Sequence, residues 1–172
     1  METPGSFVIF GPREPGPVRL AEYDPTWPKR YDSERERIVA ALGAKLLRIE
    51  RVGSTSVPGL ASKAIVDIVV DVGEVDFYDI TVAMETAGYV LRVVETGHRM
   101  FRTADLGAHM HFWFERADFD RHVAFRDILR ASAEKRRRYE AVKRELASRN
   151  WRTRDEYSQA KSAVISEIMA GR

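Results

Sequence analysis

A glycine–serine turn runs into a β-branched stretch that carries a single acid. The chain reads Val52-Gly53-Ser54-Thr55-Ser56-Val57-Pro58-Gly59-Leu60, then Lys63, then Asp67. Backbone N–H groups of a turn, with hydroxyls beside them, suit the oxygens of a phosphate ester. A lysine offsets that charge, and a carboxylate after it suits a divalent metal. The expectation is a phosphate or nucleotide site at Gly53, Ser54, Thr55, Ser56 and Lys63, with a metal ligand at Asp67. A plain polar connection closed by a Pro58-Gly59 turn would have the same composition. The chain has no Gly-x-x-x-x-Gly-Lys-Ser/Thr loop, no Gly-x-Gly-x-x-Gly and no Gly-x-Ser-x-Gly elbow. The corresponding P-loop, dinucleotide and serine-hydrolase motifs are therefore missing.

Side chains alternate across a strand. Over residues 64–70, Ala64, Val66, Ile68 and Val70 make one apolar face, so Asp67 points off that core. Asp71 lies on the same side, about 13 Å further along at ~3.3 Å per residue. That is too far to share one metal site, and Asp71 reads as a solvated strand-end charge. A second chemical cluster follows in His98 to Thr103 and His109 to Glu115, a hairpin closed around Ala104-Asp105-Leu106-Gly107. Its geometry sets Arg102 opposite His109 and Met100 opposite His111. One face then carries His98, Met100, Arg102, His109, His111 and Trp113. The other carries Phe101, Met110, Phe112 and Phe114 and reads as core. His109 and His111 are candidate metal ligands and proton carriers. They converge with Asp67 if the two faces lie on the same side of one sheet. Arg126 and Arg130, four apart on a helix, read either as an anion clamp or as a salt bridge of Asp127 with Arg130.

The elements that must hold these groups follow from periodicity and punctuation. The chain has 172 residues, 44% apolar and 31% charged, enough for one sizeable core. Residues 1–16, rich in Gly and Pro, read as an extended arm with a short strand at Phe7–Phe10. Residues 17–172 read as a single domain. Trp27, Tyr31, Ile38 and Leu42 fit a helix entered from Asp24 or Thr26 and stopped at Gly43. Strands are expected at Leu46–Val52, Ile65–Val72 and Tyr89–Val94, with a helix over Asp76–Ala87. From Phe119 the chain reads as helix to its end. Tyr139, Val142 and Leu146 form one stripe, and Thr153-Arg154-Asp155-Glu156 a capping box. Tyr157, Lys161, Val164 and Ile168 share a face. The fold class is thus α/β (α+β), a mixed sheet with flanking helices and a C-terminal helical segment.

Net charge is +2 and there are no cysteines. The first gives no strong pull toward nucleic acid, and the second excludes disulfides and thiolate sites. No apolar run nears the ~20 residues of a membrane span, and Met1–Gly5 lacks the basic start of a secretory signal. The expectation is a cytoplasmic protein whose partner is a nucleotide or other phosphorylated small molecule. Lys135-Arg136-Arg137-Arg138 reads as a solvated helix face with pairs such as Glu134–Arg138 and Glu140–Arg144.

The Val52-Gly53-Ser54 turn, a short spacer and the acidic strand at Asp67-Ile68 resemble the signature of the nucleotidyltransferase superfamily. More closely, the chain resembles the GrpB (UPF0157) family. The likeness rests on Tyr23-Asp24-Pro25 with Trp27-Pro28, and on Ile49-Glu50 before Gly53–Leu60 with Lys63 and Asp67. It continues through His109-Met110-His111, Phe125–Arg130, and Tyr139 with Lys143, over roughly residues 18–171. The resemblance implies a nucleotidyltransferase-type fold, a divalent Mg²⁺ or Mn²⁺ at Asp67, and a link to a domain fused to dephospho-coenzyme A kinase in some bacteria. Two positions depart from it. Val69 stands where an active transferase carries its second acid, and Arg51 where relatives often have histidine. The first leaves His109 and His111 to complete a metal shell. The second adds a cation that could meet phosphate. The readings that follow are a nucleotidyl or phosphoryl transferase, an inactive nucleotide- or coenzyme-binding module, and an interaction protein.

Overall fold

The computed structural model describes residues 8–12 and 17–171. Its strands are β1 (Val8–Ile9), β2 (Arg48–Val52), β3 (Val66–Asp71), β4 (Val90–Glu95), β5 (His98–Arg102) and β6 (Ala108–Trp113). They form one mixed sheet in the order β1-β4-β5-β6-β3-β2. Every neighbouring pair is antiparallel except β3 and β6. The helices are α1 (Trp27–Leu42), α2 (Phe77–Thr86), α3 (Arg116–Ala131), α4 (Ala133–Ala147), α5 (Arg154–Ala160) and α6 (Ser162–Ala170).

The β-branched run of β3 suits a strand with neighbours on both edges and helices on both faces. Val66, Ile68 and Val70 turn to one side, where Phe101, Met110 and Phe112 join them beneath α1 and α2. Trp27, Ile38 and Leu42 of α1 and Ile80 and Met84 of α2 complete this core. Each such side chain contributes about 1.5–3 kcal/mol by leaving water. On the other face Val69 packs with Val52 and with Phe119 of α3. The C-terminal helices extend this layer: Leu129, Tyr139, Val164 and Ile168 enclose Val57 and Leu60, while Leu146 and Tyr157 enclose Val18. The chain thus folds as the expected mixed α/β sheet with flanking helices.

The hairpin has the expected register. Met100 pairs with His111 and Arg102 with His109, and the loop closes through Thr103 N–H donating to the Ala108 carbonyl at 3.1 Å. Four expectations are corrected. Phe114 lies past the end of β6, where it is exposed and meets the Phe77 ring edge-on at 4.0 Å. Asp71 is not a solvated charge, because its register opposite Arg48 gives it a 3.2 Å ion pair and its other oxygen accepts from Gly73 N–H. The C-terminal region keeps the expected cap at Thr153, which starts α5, but is divided into four helices rather than running as near-continuous helix. It breaks at Ser132, whose hydroxyl caps α4, at 148–153, and at Lys161. Arg138 pairs with Glu167 of α6 rather than along its own helix. Phe7 and most of the expected arm lie outside the described residues. Within them, β1 pairs with Val93 and Val94, and the carbonyls of Phe10, Gly11 and Pro12 accept from Arg92.

Candidate functional site

The parallel pairing of β3 with β6 decides where the chemistry gathers. Its register sets Asp67 beside His109 and Val69 beside His111, so all four side chains share the face away from the α1–α2 core. His109 Nδ1 and His111 Nε2 each lie 3.8 Å from Asp67 Oδ1. One ligand atom from each of the three residues falls within 4.8 Å of the others. Donors bound at about 2.1 Å to one ion sit about 3.0–3.4 Å apart. For the three donors to share one ion they would have to move inward by a few tenths of an ångström to about 1 Å. Burial alone would raise the Asp67 pKa. The neighbouring imidazoles of His111 and His109 and the Lys63 ammonium outweigh it and hold the carboxyl below its ordinary range.

Gly53 follows Val52, which pairs with Asp67. Its φ is +67°, and a Cβ there would stand 2.3 Å from Asp67 Oδ2. The glycine is thus required twice, by backbone and by the close approach of the carboxylate.

Behind the cluster runs a hydrogen-bonded chain. His111 Nδ1 and His98 Nε2 are 3.1 Å apart, and His98 Nδ1 is 2.7 Å from Glu95 Oε1. An ionised carboxylate only accepts. With Glu95 ionised, His98 carries its proton on Nδ1 and His111 carries its own on Nδ1. His111 Nε2 is then the ring nitrogen that faces Asp67. His98 is buried against the Trp113 ring, and that burial pushes its pKa down to about 3 and keeps it neutral. Burial likewise takes His122 of α3, stacked on His111, down to about 4. The sequence ranked neither histidine as a site residue. The signal for His98 was its place on the hairpin face two residues before Met100.

The cluster forms the floor of a cleft of about 250 Å³ between the sheet and the helices α4 and α5. Among the described residues, Lys63, Lys143, Lys161, Arg92, Arg102 and Arg154 line it against two carboxylates, Asp67 and Asp155. Lys143 is 1% exposed. Its ammonium donates to the Ala61 carbonyl and lies 3.1 Å from Ser54 Oγ. Tyr157 stands between lysines, with Lys161 Nζ 4.9 Å and Lys63 Nζ 5.8 Å from its ring centre.

The structure therefore brings together Gly53, Ser54, Lys63, Asp67, Arg102, His109 and His111 of the residues singled out from sequence. It leaves the others elsewhere. Thr55 and Ser56 turn inward in a 3-10 turn and are fully buried, with Ser56 Oγ donating to the Gly53 carbonyl at 2.6 Å. Arg51 pairs across from Ile68, hence on the α1 side of the sheet, where it lies over Tyr31. Arg126 is held by Glu50 and Asp127, each at 2.7 Å, and Arg130 donates to the Ser56 carbonyl. The ion-pair alternative is the one observed: Arg130 lies 3.9 Å from Asp127, and Arg126 joins the pair through the same carboxylate and Glu50. The residues missed by sequence reasoning are Lys143, Lys161, Arg92 and Arg154. Lys143 carried one signal, its spacing of four from Tyr139.

Fold and site define a mixed α/β protein whose helix-covered sheet face holds a basic cleft over an acid–imidazole cluster. The chain belongs to the GrpB family: the family model described as GrpB protein matches residues 17–171. It is 46% identical to a UPF0157 protein of Streptomyces coelicolor, over 94% of this chain and 87% of that one. It is 43% identical to one of Halalkalibacterium halodurans, over 88% and 80%. The crystal structure of conserved protein GrpB from Enterococcus faecalis superposes with a TM-score of 0.71 at 27% identity, covering 87% of this chain and 98% of that one.

Proposed function

We propose that this protein binds a phosphorylated small molecule, a nucleotide or another phosphate ester, in the cleft above Asp67, with one divalent ion held by Asp67, His109 and His111. The observation that carries the reading is the position of that cluster on the floor of a cleft whose other charged groups are almost all basic. Phosphate oxygens bridge such an ion to surrounding cations, and a site with few protein ligands leaves coordination positions for them. Two imidazoles with one carboxylate favour Mn²⁺ or Zn²⁺ over Mg²⁺.

The proposed kinship of the fold is with nucleotidyltransferases, and Val69 weighs on what the site does there. Its side chain is fully buried against Phe119 and Val52. A second acid in that place would be shut beneath α3 rather than open to a second ion. The arrangement therefore favours a one-ion binding site over transfer by two metals.

A thermal-shift series with Mn²⁺, Zn²⁺ or Mg²⁺, alone and with nucleoside triphosphates or dephospho-coenzyme A, tests this. Wild type should gain about 5–10 °C at a hundredfold excess over Kd, with Mn²⁺ above Mg²⁺, and Asp67→Asn should lose the metal-dependent part. An unshifted wild type, or an Asp67→Asn variant that responds as fully as wild type, would overturn the proposal.

A further inference from the structure

Lys143 is a buried cation with no acid beside it. Among the described residues no carboxylate lies within ion-pairing distance of its Nζ. Its partners are a carbonyl, a hydroxyl and the Tyr139 ring 5.0 Å away. Glu140, one turn from it on the same helix, is committed to Arg144 at 2.6 Å. Lys161, at the break between α5 and α6, faces the same cleft and also lacks an ion pair among the described residues. Burying an ammonium without a counter-charge costs several kcal/mol. A fold keeps such a group where a ligand supplies the missing charge or where the amine stays neutral.

We propose that Lys143, Lys161 and Ser54 form an anion subsite beside the metal cluster, in which a phosphate dianion of a small ligand is the counter-charge that Lys143 lacks. Ser54 Oγ–H donates to one oxygen, and the two ammonium groups flank the others. This deepens the phosphate reading of the cleft and rests on it, but it needs no metal. The chemistry fits a terminal phosphate or a diphosphate arm, sized to the cleft of about 250 Å³.

The same environment makes anion binding draw a proton. Burial, with Lys161 adding to it, lowers the Lys143 pKa to about 7. Burial lowers that of Lys161 as well, against the pull of Asp67. The groups that act on Lys143 are Tyr139, Glu140 and Arg144 of its own helix and Lys161 beyond α5, and across the cleft it faces Lys63, Asp67, Arg154, Asp155 and Tyr157. The phenol of Tyr139 stays neutral, since burial pushes it up to about 12. Above pH 7 the empty subsite therefore holds a neutral amine, and a bound dianion restores its proton.

Sulfate is the probe, because it stays a dianion across this range and exchanges no proton of its own. It is titrated calorimetrically in EDTA at low chloride, from pH 6 to pH 9, in pairs of buffers that differ in ionisation enthalpy. Wild type should bind sulfate and take up close to one proton per anion above pH 8. Its affinity should fall up to about tenfold per pH unit there and flatten toward pH 6. Lys143→Met should lose the proton uptake and weaken binding at least tenfold. Sulfate binding without proton uptake above pH 8, no sulfate binding at all, or Lys143→Met binding like wild type would overturn the proposal. The uptake is read on wild type alone, so a variant that fails to fold leaves the test intact. A protein that binds nucleotide with Mn²⁺ yet ignores sulfate would refute this subsite without refuting the metal reading.

Discussion

Lys143 sets a measurable cost on the empty protein. In the unfolded chain its amine is protonated up to about pH 10.4, whereas in the fold burial lowers its pKa to about 7. Between these values the unfolded state binds the extra proton, so stability rises with pH, by up to about 1.4 kcal/mol per unit. The gain is complete above the unfolded value and lost as pH falls through 7. Lys161, whose pKa burial also lowers, adds to this slope, whereas the histidines and Tyr139 act outside the window. His98 and His122, depressed to about 3 and 4, cost stability only below the ordinary histidine range. Tyr139, raised to about 12, matters only above pH 10. Urea denaturation at pH 7 and pH 9 should therefore show wild type more stable at pH 9, with Lys143→Met losing most of the difference. Equal slopes in the two proteins would show that Lys143 is not the titrating group. A residue kept at this cost fits the view that binding sites trade stability for ligand affinity.

At the scale of elements, the β5–β6 hairpin carries both imidazoles of the proposed metal site and the support of one of them. The Glu95–His98–His111 chain fixes which nitrogen of His111 faces Asp67, as outer partners do for metal-binding imidazoles. His98→Phe keeps a ring against Trp113 and removes the hydrogen bonds. Its Mn²⁺ affinity, followed by electron paramagnetic resonance, should drop about 10–100-fold, while metal-free sulfate binding stays as in wild type. Unchanged Mn²⁺ affinity would show that the chain plays no part in holding the ion. Strand alternation made much of this site legible in the sequence: it placed Asp67 off the core, set Arg102 against His109 and Met100 against His111, and assigned Phe101, Met110 and Phe112 to the core. What it did not give was the β3–β6 pairing that brings the two faces together. Alternation also placed Arg51 one residue out of phase with the site once β2 is paired, a fact that needs the register to be read. The cleft-lining Lys143 and Lys161 were harder still. A lysine on a mostly charged helix looks solvated, and only the packing of α4 and α6 on the Val57–Leu60 segment buries it. Thr55 and Ser56 were drawn inward by a turn whose hydrogen bonds close on Gly53 and Ser54.

At the scale of the molecule, the cleft exists only while the sheet and the C-terminal helices stay joined. Lys143 of α4 reaches the Ala61 carbonyl and Ser54, Arg126 of α3 reaches Glu50 of β2, and Leu60 and Val57 sit within the helical cluster. Such shared contacts couple the two layers into one cooperative unit. The three tryptophans report on it separately. Trp27 lies in the core under α1, Trp113 on the helix-covered sheet face, and Trp151 beside Leu146 and Tyr157 in the C-terminal cluster. Single-tryptophan variants, with the other two changed to Phe, should unfold in urea at midpoints that coincide with the far-ultraviolet transition of the same variant. That is the mark of two-state behaviour. Sulfate should move all three midpoints upward together, because the anion is held by groups from both layers. A Trp151 signal that melted first, with Trp27 unaffected, would make the C-terminal helices a separately folding unit. The cleft would then be an interface between units, and anion binding would stabilise only the Trp151 transition.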